Sequence, residues 1–354
     1  MFNQIVKTPN SRPLIAKNNH SGNHLPKKVA LIYSDAKREY FSTYEEYLTE
    51  TGAEEEAMTF FPYFKRLGVN VCLIPANADM TKHLKKEKPD MAINLAATVK
   101  GYDYLGATIP ATLELLEIPY TGAAILGFAL GCNKYLIYAL LSQHGIPVPR
   151  FQLFTTPTTP LDPSLRFPLI LKLNEEHSNV EIKRESIAEN EVQLRRRARY
   201  LMKTYGQDVL VSEFIDGREF ASFVVQSYNK KVYTMERIIH LPKNKTRHQF
   251  LDYDLVWKAG GKYDKYVKHR IYRNQLLDAM VKKSFQVCRM DDYGKFDIRM
   301  DRLGNYYFID ANANCHFAPS AQDCDFSMAM KMHGVPFSLL LKRMLQNTMR
   351  EWGY

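Results

Sequence analysis

Two aspartates, an asparagine and a lysine are spaced so that they can meet on one face of a hairpin. In the stretch 295–314, Lys295, Asp297 and Arg299 point one way and Phe296, Ile298 and Met300 the other. After a turn at 301–305, led by Asp301 and eased by Gly304, the apolar side continues as Tyr307, Ile309 and Ala311. With an even number of loop residues, Asp297 lies opposite Asp310 and Lys295 opposite Asn312. Two carboxylates facing each other across a ladder repel unless a cation lies between them. Asp, Asp and Asn are the hard oxygen ligands that Mg²⁺ takes beside substrate phosphates. A three-residue loop with a bulge at Gly304 would put the aspartates on opposite faces, leaving an ordinary hairpin with solvated charges.

Lys134 lies within the strongly apolar stretch 123–145, which reads as a single helical segment. A lysine there either snorkels to the surface or is held for an anion. His316 and Cys315 follow the acidic hairpin; a metal or nucleophile role needs a partner the sequence does not show, so pocket lining is the reading. The formal charge of +10 suits polyphosphate, nucleic acid or an anionic surface. The basic residues are spread thinly, however, and the cluster Arg195, Arg196, Arg197 and Arg199 reads as a solvated helix face. Nucleic acid is disfavoured as a partner.

The elements that must position these groups are legible in outline. With 354 residues, 45% of them hydrophobic and 24% charged, the chain is long enough for two or three packed units of ordinary globular composition. No apolar run approaches the roughly 18 residues of a membrane span. The five cysteines show no C-x-x-C pairing, which suits reduced thiols and a cytoplasmic setting. Strand-like runs at 29–33, 69–74 and 91–95 alternate with helical segments, predicting a parallel sheet covered on both faces. From 146 onward strand signals dominate, predicting an α+β region with antiparallel pairing and a hairpin at Asp216-Gly217. The basic, Tyr-rich stretch 241–270 reads as a mobile loop. The divisions expected are a flexible lead-in (1–26), an α/β domain (27–122), a central α+β unit (123–212) and a C-terminal unit carrying the acidic hairpin (213–354).

Several pieces resemble, in order, the ATP-grasp ligases, and among them the D-alanine–D-alanine ligase-like family. They are Ile118-Pro-Tyr-Thr-Gly122 with Asn133-Lys134, Gly145-Ile-Pro-Val-Pro149, Phe167-Pro-Leu-Ile-Leu-Lys172, Phe214-Ile-Asp-Gly-Arg-Glu-Phe220, and Asp297 with Asp310-Ala-Asn312. The resemblance covers about residues 27–345. It implies an α/β N-terminal domain and two α+β subdomains clasping ATP, and an ADP-forming ligase that joins a carboxylate to an amine through an acyl phosphate. It further implies that Lys134, Lys172 and Ser178 contact phosphates and that Glu213, Phe214 and Ile215 hold adenine. Glu219 would take the ribose hydroxyls, and Asp297, Asp310 and Asn312 would hold Mg²⁺, with Mn²⁺ as a substitute. Lys295 stands where the family has an arginine that stabilises the tetrahedral intermediate.

The departures point away from D-alanine. The phosphate loop is Glu175-Glu-His-Ser-Asn-Val-Glu181, whose acidic residues would repel a triphosphate unless they point elsewhere. Ser212 replaces an acidic residue near the adenine amino group, and Asp310 replaces a longer Glu. The family's substrate signatures are missing from 94–106, leaving Glu39, His316 and Ser320 as substrate-side candidates. The expected substrates are other small amino acids or peptides, and the chain could work as a homodimer. The alternative is a nucleotide-binding protein of this fold that has lost turnover and acts through a partner.

Overall fold

The first apolar run is the centre of a parallel sheet. In this computed structural model, residues 24–241, 248–258, 263–320 and 324–354 are described. The lead-in up to residue 23 and parts of the expected 241–270 loop, including Gly260 and Gly261, therefore lie outside the described residues. Strand β1 (Lys28–Ser34) is followed by three short helices, α1 (Tyr44–Glu50), α2 (Ala53–Met58) and α3 (Phe61–Leu67). Thr43 and Glu46 form a capping box that starts α1. Then come β2 (Asn70–Ala76), α4 (Met80–Glu87), β3 (Met91–Asn94), α5 (Thr108–Leu115) and β4 (Tyr120–Thr121). The order is β2-β1-β3-β4, all parallel, as the alternating pattern predicts.

The apolar stretch at 123–145 is two helices rather than one, α6 (Ile125–Gly131) and α7 (Lys134–Gln143), bent by 106°. Asn133 causes the break: its side chain caps α7 by accepting from Leu136 N–H, which places Lys134 in the first turn. No single helix among the described residues is long and apolar enough to cross a membrane. A second sheet follows, with β5 (Phe151–Phe154), β6 (Leu169–Leu173), β7 (Ile187–Ala188), α8 (Glu191–Tyr205) and β8 (Val209–Glu213), ordered β5-β8-β6-β7.

The third sheet holds β9 (Arg218–Val225) and β10 (Lys231–Ile239), then α9 (Tyr253–Trp257), α10 (Tyr263–Tyr266), β11 (Val267–Tyr272), α11 (Gln275–Val287), β12 (Tyr293–Met300) and β13 (Tyr306–Asn312). Its order is β11-β10-β9-β12-β13, all antiparallel. Asp216-Gly217 is not a hairpin turn, because β8 and β9 belong to different sheets. It is the crossover between them, and a Cβ on Gly217 would come within 2.0 Å of the Met300 carbonyl. One face of this sheet, with Phe220, Phe296, Ile298 and Phe308, packs on α6, α7 and α11. The other face, with Ala221, Phe223 and Tyr233, shares a core with β1, β3, α12 (Asp325–Met332) and α13 (Phe337–Glu351). The cleft opens on that second face.

Candidate active site

Asp297 does lie opposite Asp310 and Lys295 opposite Asn312, but not by the expected route. Met300 pairs with Tyr306, so the loop has five residues, and a bulge at Ile309 restores the register. The inward apolar residues of β13 are therefore Tyr306, Phe308 and Ala311, whereas Ile309 turns to the cleft. The bulge also frees the Ile309 carbonyl, which accepts from Lys172 Nζ at 2.9 Å and from Tyr138 Oη at 3.0 Å.

The carboxylate repulsion is relieved by the protein's own cations. Lys134 and Lys172 are buried, 7% and 8% exposed. Burial alone would raise Asp310, but Lys134, Lys172, His177 and Lys295 outweigh it and hold the carboxyl below its usual range. Burial, with help from Lys134, pushes Lys172 below the ordinary lysine value against the pull of Asp310. Asp297 meets Arg237 at 2.7 Å and Lys295 at 3.0 Å. Burial opposes the Lys295 charge, yet Asp297 and Asp325 hold its pKa above the ordinary value.

Arg237 and Asp325 carry no signal in the sequence that marks them. Arg237 is 3% exposed and binds Asp297, Asp325 and, at 3.4 Å, Glu219. Register explains this: Arg237 is paired across strands with Glu219, and Glu219 with Arg299. In the next row Asp297 faces the small Ala221, which leaves the arginine room to reach across to it.

Within the acidic phosphate loop, Glu176 lines the cleft while Glu181 is turned into the protein. Glu181, 2% exposed, receives Arg197 at 2.6 Å, Tyr205 at 3.0 Å and Lys183 at 3.3 Å. Arg197 is therefore buried structure rather than solvated helix face. Glu175 accepts from Asn133, and Glu176 from Gln207. The Glu176 carbonyl accepts from Lys134 Nζ, and His177 Nδ1 meets Asp103. Ser178 is on the exposed rim of the cleft, its carbonyl accepting from Trp257 Nε1 at 2.8 Å. If Glu181 opposed a triphosphate, Glu181→Gln would raise nucleotide affinity. We expect no gain, and instead a stability loss of roughly 3 kcal/mol from stranding Arg197, readable by urea denaturation.

Further along the same cleft, whose volume is about 850 Å³, lie Ser212, Glu213, Phe214, Ile215 and Glu219. Among the described residues Ser212 Oγ, on a residue only 1% exposed, has no hydrogen-bond partner, and no acceptor meets the Ile215 N–H. The Glu213 side chain accepts from Arg166 N–H at 2.9 Å. Glu219 is 6% exposed between Arg299 at 2.7 Å and Arg237.

The other end of the cleft departs most from expectation. Glu39 is exposed and outside the cleft wall; Ser320, half-buried, is outside it too, its carbonyl accepting from Cys324 N–H. His316 does line it and pairs with Glu56 at 2.7 Å. Glu50 also lines the cleft, 7% exposed, with Thr98 Oγ1 donating to it at 3.3 Å. Sequence reasoning missed it because it sits on a short helix in a glutamate-rich stretch, where nothing in residue type separates it from Glu45, Glu46, Glu54, Glu55 and Glu56. Cys315 lines the wall as a buried free thiol, and none of the five cysteines is in a disulfide.

Glu50 also leaves a pH signature. Burial raises its carboxyl to about 7, with Asp103 adding to the shift and the Ser34 and Thr98 hydroxyls opposing it. Between the ordinary carboxyl range and about pH 7, the folded protein keeps this proton and the unfolded chain does not. Stability from this group therefore falls as pH rises through that window. Glu50→Gln should remove the slope and stabilise the fold above the window by roughly 3 kcal/mol, measured by thermal unfolding across pH.

With this geometry in view, comparison with known proteins is decisive. The family model described as "D-ala D-ala ligase C-terminus" matches residues 140–346, more than half of the chain. The chain belongs to the D-alanine–D-alanine ligase family. The D-alanine–D-alanine ligase of Pseudomonas entomophila is 26% identical over 335 residues, covering 92% of this chain and 94% of that protein. An uncharacterized protein of Sinorhizobium fredii is 28% identical over 225 residues, 63% of this chain and 65% of its own length. The crystal structure of the D-alanine–D-alanine ligase from Bacillus anthracis superposes with a TM-score of 0.70 at 17% identity, over 91% of this chain and 97% of that one. The same ligase complexed with ATP gives 0.68 at 16%, over 92% and 98%. The fold is thus ATP-grasp, with a parallel-sheet domain preceding it.

The residues present fit the groups this ligase family implies. The orphaned Ser212 hydroxyl and the open Ile215 N–H suit a base edge, and Lys134 with Lys172 suits phosphate oxygens. Among the described residues no three His, Cys, Asp or Glu side chains converge as a complete metal cage. Two carboxylates and an amide are a partial set, as suits Mg²⁺ completed by phosphate and water.

Proposed function

We propose that this protein is an ATP-dependent carboxylate–amine ligase that forms an amide through an acyl phosphate, on a small amino-acid or peptide substrate other than D-alanine. The observation that carries the reading is the facing Asp297–Asp310 pair, flanked by the buried Lys134 and Lys172 in one cleft. Bound Mg-ATP would supply the phosphoryl group that activates the carboxylate. Lys134 and Lys172 neutralise phosphate oxygens, Asp297, Asp310 and Asn312 hold the Mg²⁺, and Ile215 and Glu219 seat the nucleoside. Lys295 brings positive charge to the developing oxyanion, though without an arginine's fork. Positioning and charge neutralisation supply the rate, because the protein itself forms no covalent bond.

Glu50 is the group we assign to the substrate's ammonium, in the place expected for Glu39. Its burial costs stability, as the pH argument indicates, so Glu50→Gln should be both more stable and less active. The Glu56–His316 pair and Asp325 line the same end, which suits a side chain longer and more polar than a methyl. Mg²⁺-dependent ADP release, screened across amino acids and dipeptides, tests the reading. No ADP release with any carboxylate, from protein that binds Mg-ATP, would count against it.

One observation favours a second reading. Asp297 and Glu219 are already engaged by Arg237, Lys295 and Arg299, so bound ligands must share them. A nucleotide-binding protein without turnover would show calorimetric binding of Mg-ATP that Asp310→Asn weakens, and no ADP.

A further inference from the structure

Arg299 is buried, charged and on the cleft face, yet the reaction outlined above gives it no task. It is 3% exposed and lies over the Phe214 ring at 5.0 Å. Its guanidinium donates from Nε to the Ile215 carbonyl at 2.6 Å and from Nη1 to Glu219 at 2.7 Å. Nη2 donates to the carbonyls of Gly217 at 3.1 Å and Gln249 at 2.9 Å. Neutralising Glu219 needs only one of these bonds. The other three tie together the crossover between the second and third sheets and the segment that leads into α9.

We propose that Arg299 is a positioning residue for the nucleoside: it aims the Glu219 carboxylate at the ribose hydroxyls and fixes the 215–217 crossover so that Ile215 presents its N–H, not its carbonyl, to the base. This rests on the nucleotide reading above. With the Ile215 carbonyl taken by Arg299, the crossover edge offers a donor. Adenine N1 is an acceptor and guanine N1 carries a hydrogen, so the edge selects ATP over GTP. Glu219 is held from both sides, Oε1 by Arg237 and Oε2 by Arg299, and each oxygen keeps a second lone pair for a hydroxyl. A lysine at 299 could pair with Glu219 but could not span three carbonyls, because it lacks the planar fork.

The test is calorimetric titration of wild type, Arg299→Met and Arg299→Lys with ATP, 2′-deoxy-ATP and GTP, alongside hydrogen exchange of 213–217 in free protein. The wild type should prefer ATP over both analogues. Both variants should bind ATP about tenfold or more weakly, the scale of lost charged hydrogen bonds. Their preference for ATP over the analogues should fall towards one, and the crossover amides should exchange faster. A purely structural role would not move the ratio of ATP to 2′-deoxy-ATP affinity. If Arg299→Met fails to fold, Arg299→Lys decides alone. Folded variants with wild-type nucleotide ratios and exchange overturn the proposal while leaving the ligase reading intact. Wild-type protein that binds no nucleotide overturns the reading, and the proposal with it.

Discussion

Asp310→Asn should lower ligation kcat by about 10³-fold, within the range for removing one preorganised electrostatic group from an active site. Asp310 does two things at once. It faces Asp297 across the ladder, and it is the anion that steadies the buried ammonium of Lys172. The asparagine keeps the shape and one carbonyl oxygen, so folding should survive. It loses the charge, which weakens the hold on Mg²⁺ and further lowers the Lys172 pKa already pushed down by burial. Steady-state kinetics under saturating Mg-ATP read the loss of kcat, and titration of the variant with Mg²⁺ reads the metal. A kcat within tenfold of wild type would remove Asp310 from the site.

Arg237→Leu should destabilise the fold by roughly 3–5 kcal/mol, the cost of breaking a buried charge network by removing one partner. Three carboxylates, Asp297, Glu219 and Asp325, meet this one guanidinium. Burial opposes its charge, but Asp325, Asp297 and Glu219 hold its pKa well above the ordinary arginine value. Lys295 and Arg299 would still serve Asp297 and Glu219, while Asp325 would be left with Lys295 at 4.0 Å and the more distant charge of His269. Urea denaturation should show a lower midpoint with an unchanged slope. Asp325→Asn in the same background should recover part of the loss, because it removes the carboxylate left with the poorest partner. A loss below about 1 kcal/mol would mean that water already screens the network.

What the sequence could show of this site depended on range. Asp297, Asp310 and Asn312 drew attention through their spacing on a local hairpin, whereas Lys172, and the phosphate role of Lys134, came only from the family resemblance. The face of the acidic hairpin came out as expected for an even loop, although the chain uses an odd loop with a bulge at Ile309. Register arguments from loop parity cannot see a bulge, since nothing in Tyr307-Phe-Ile-Asp310 marks which residue is extra. Arg237 was not legible because its meaning lies in partners far along the chain: Glu219 on the neighbouring strand, Asp297 two strands away and Asp325 at the start of α12. Glu50 was hidden for a related reason, as burial rather than residue type separates it from Glu54, Glu55 and Glu56. The acidic phosphate loop was misleading as charge alone; in three dimensions Arg197, Lys183 and Tyr205 take up Glu181. The two helices at 125–143 were read as one because apolarity is continuous there, and only the Asn133 cap reveals the break.

The most direct test of the whole account is isotope transfer. A competent amino-acid substrate carrying ¹⁸O in its carboxylate should be incubated with Mg-ATP, its amine partner and the protein, and the released phosphate analysed by mass spectrometry. If the Asp297–Asp310 cleft phosphorylates the carboxylate, each phosphate released should carry one ¹⁸O atom from the substrate. Phosphate released without label would show that water, not the carboxylate, attacks the nucleotide, and would contradict the ligase assignment.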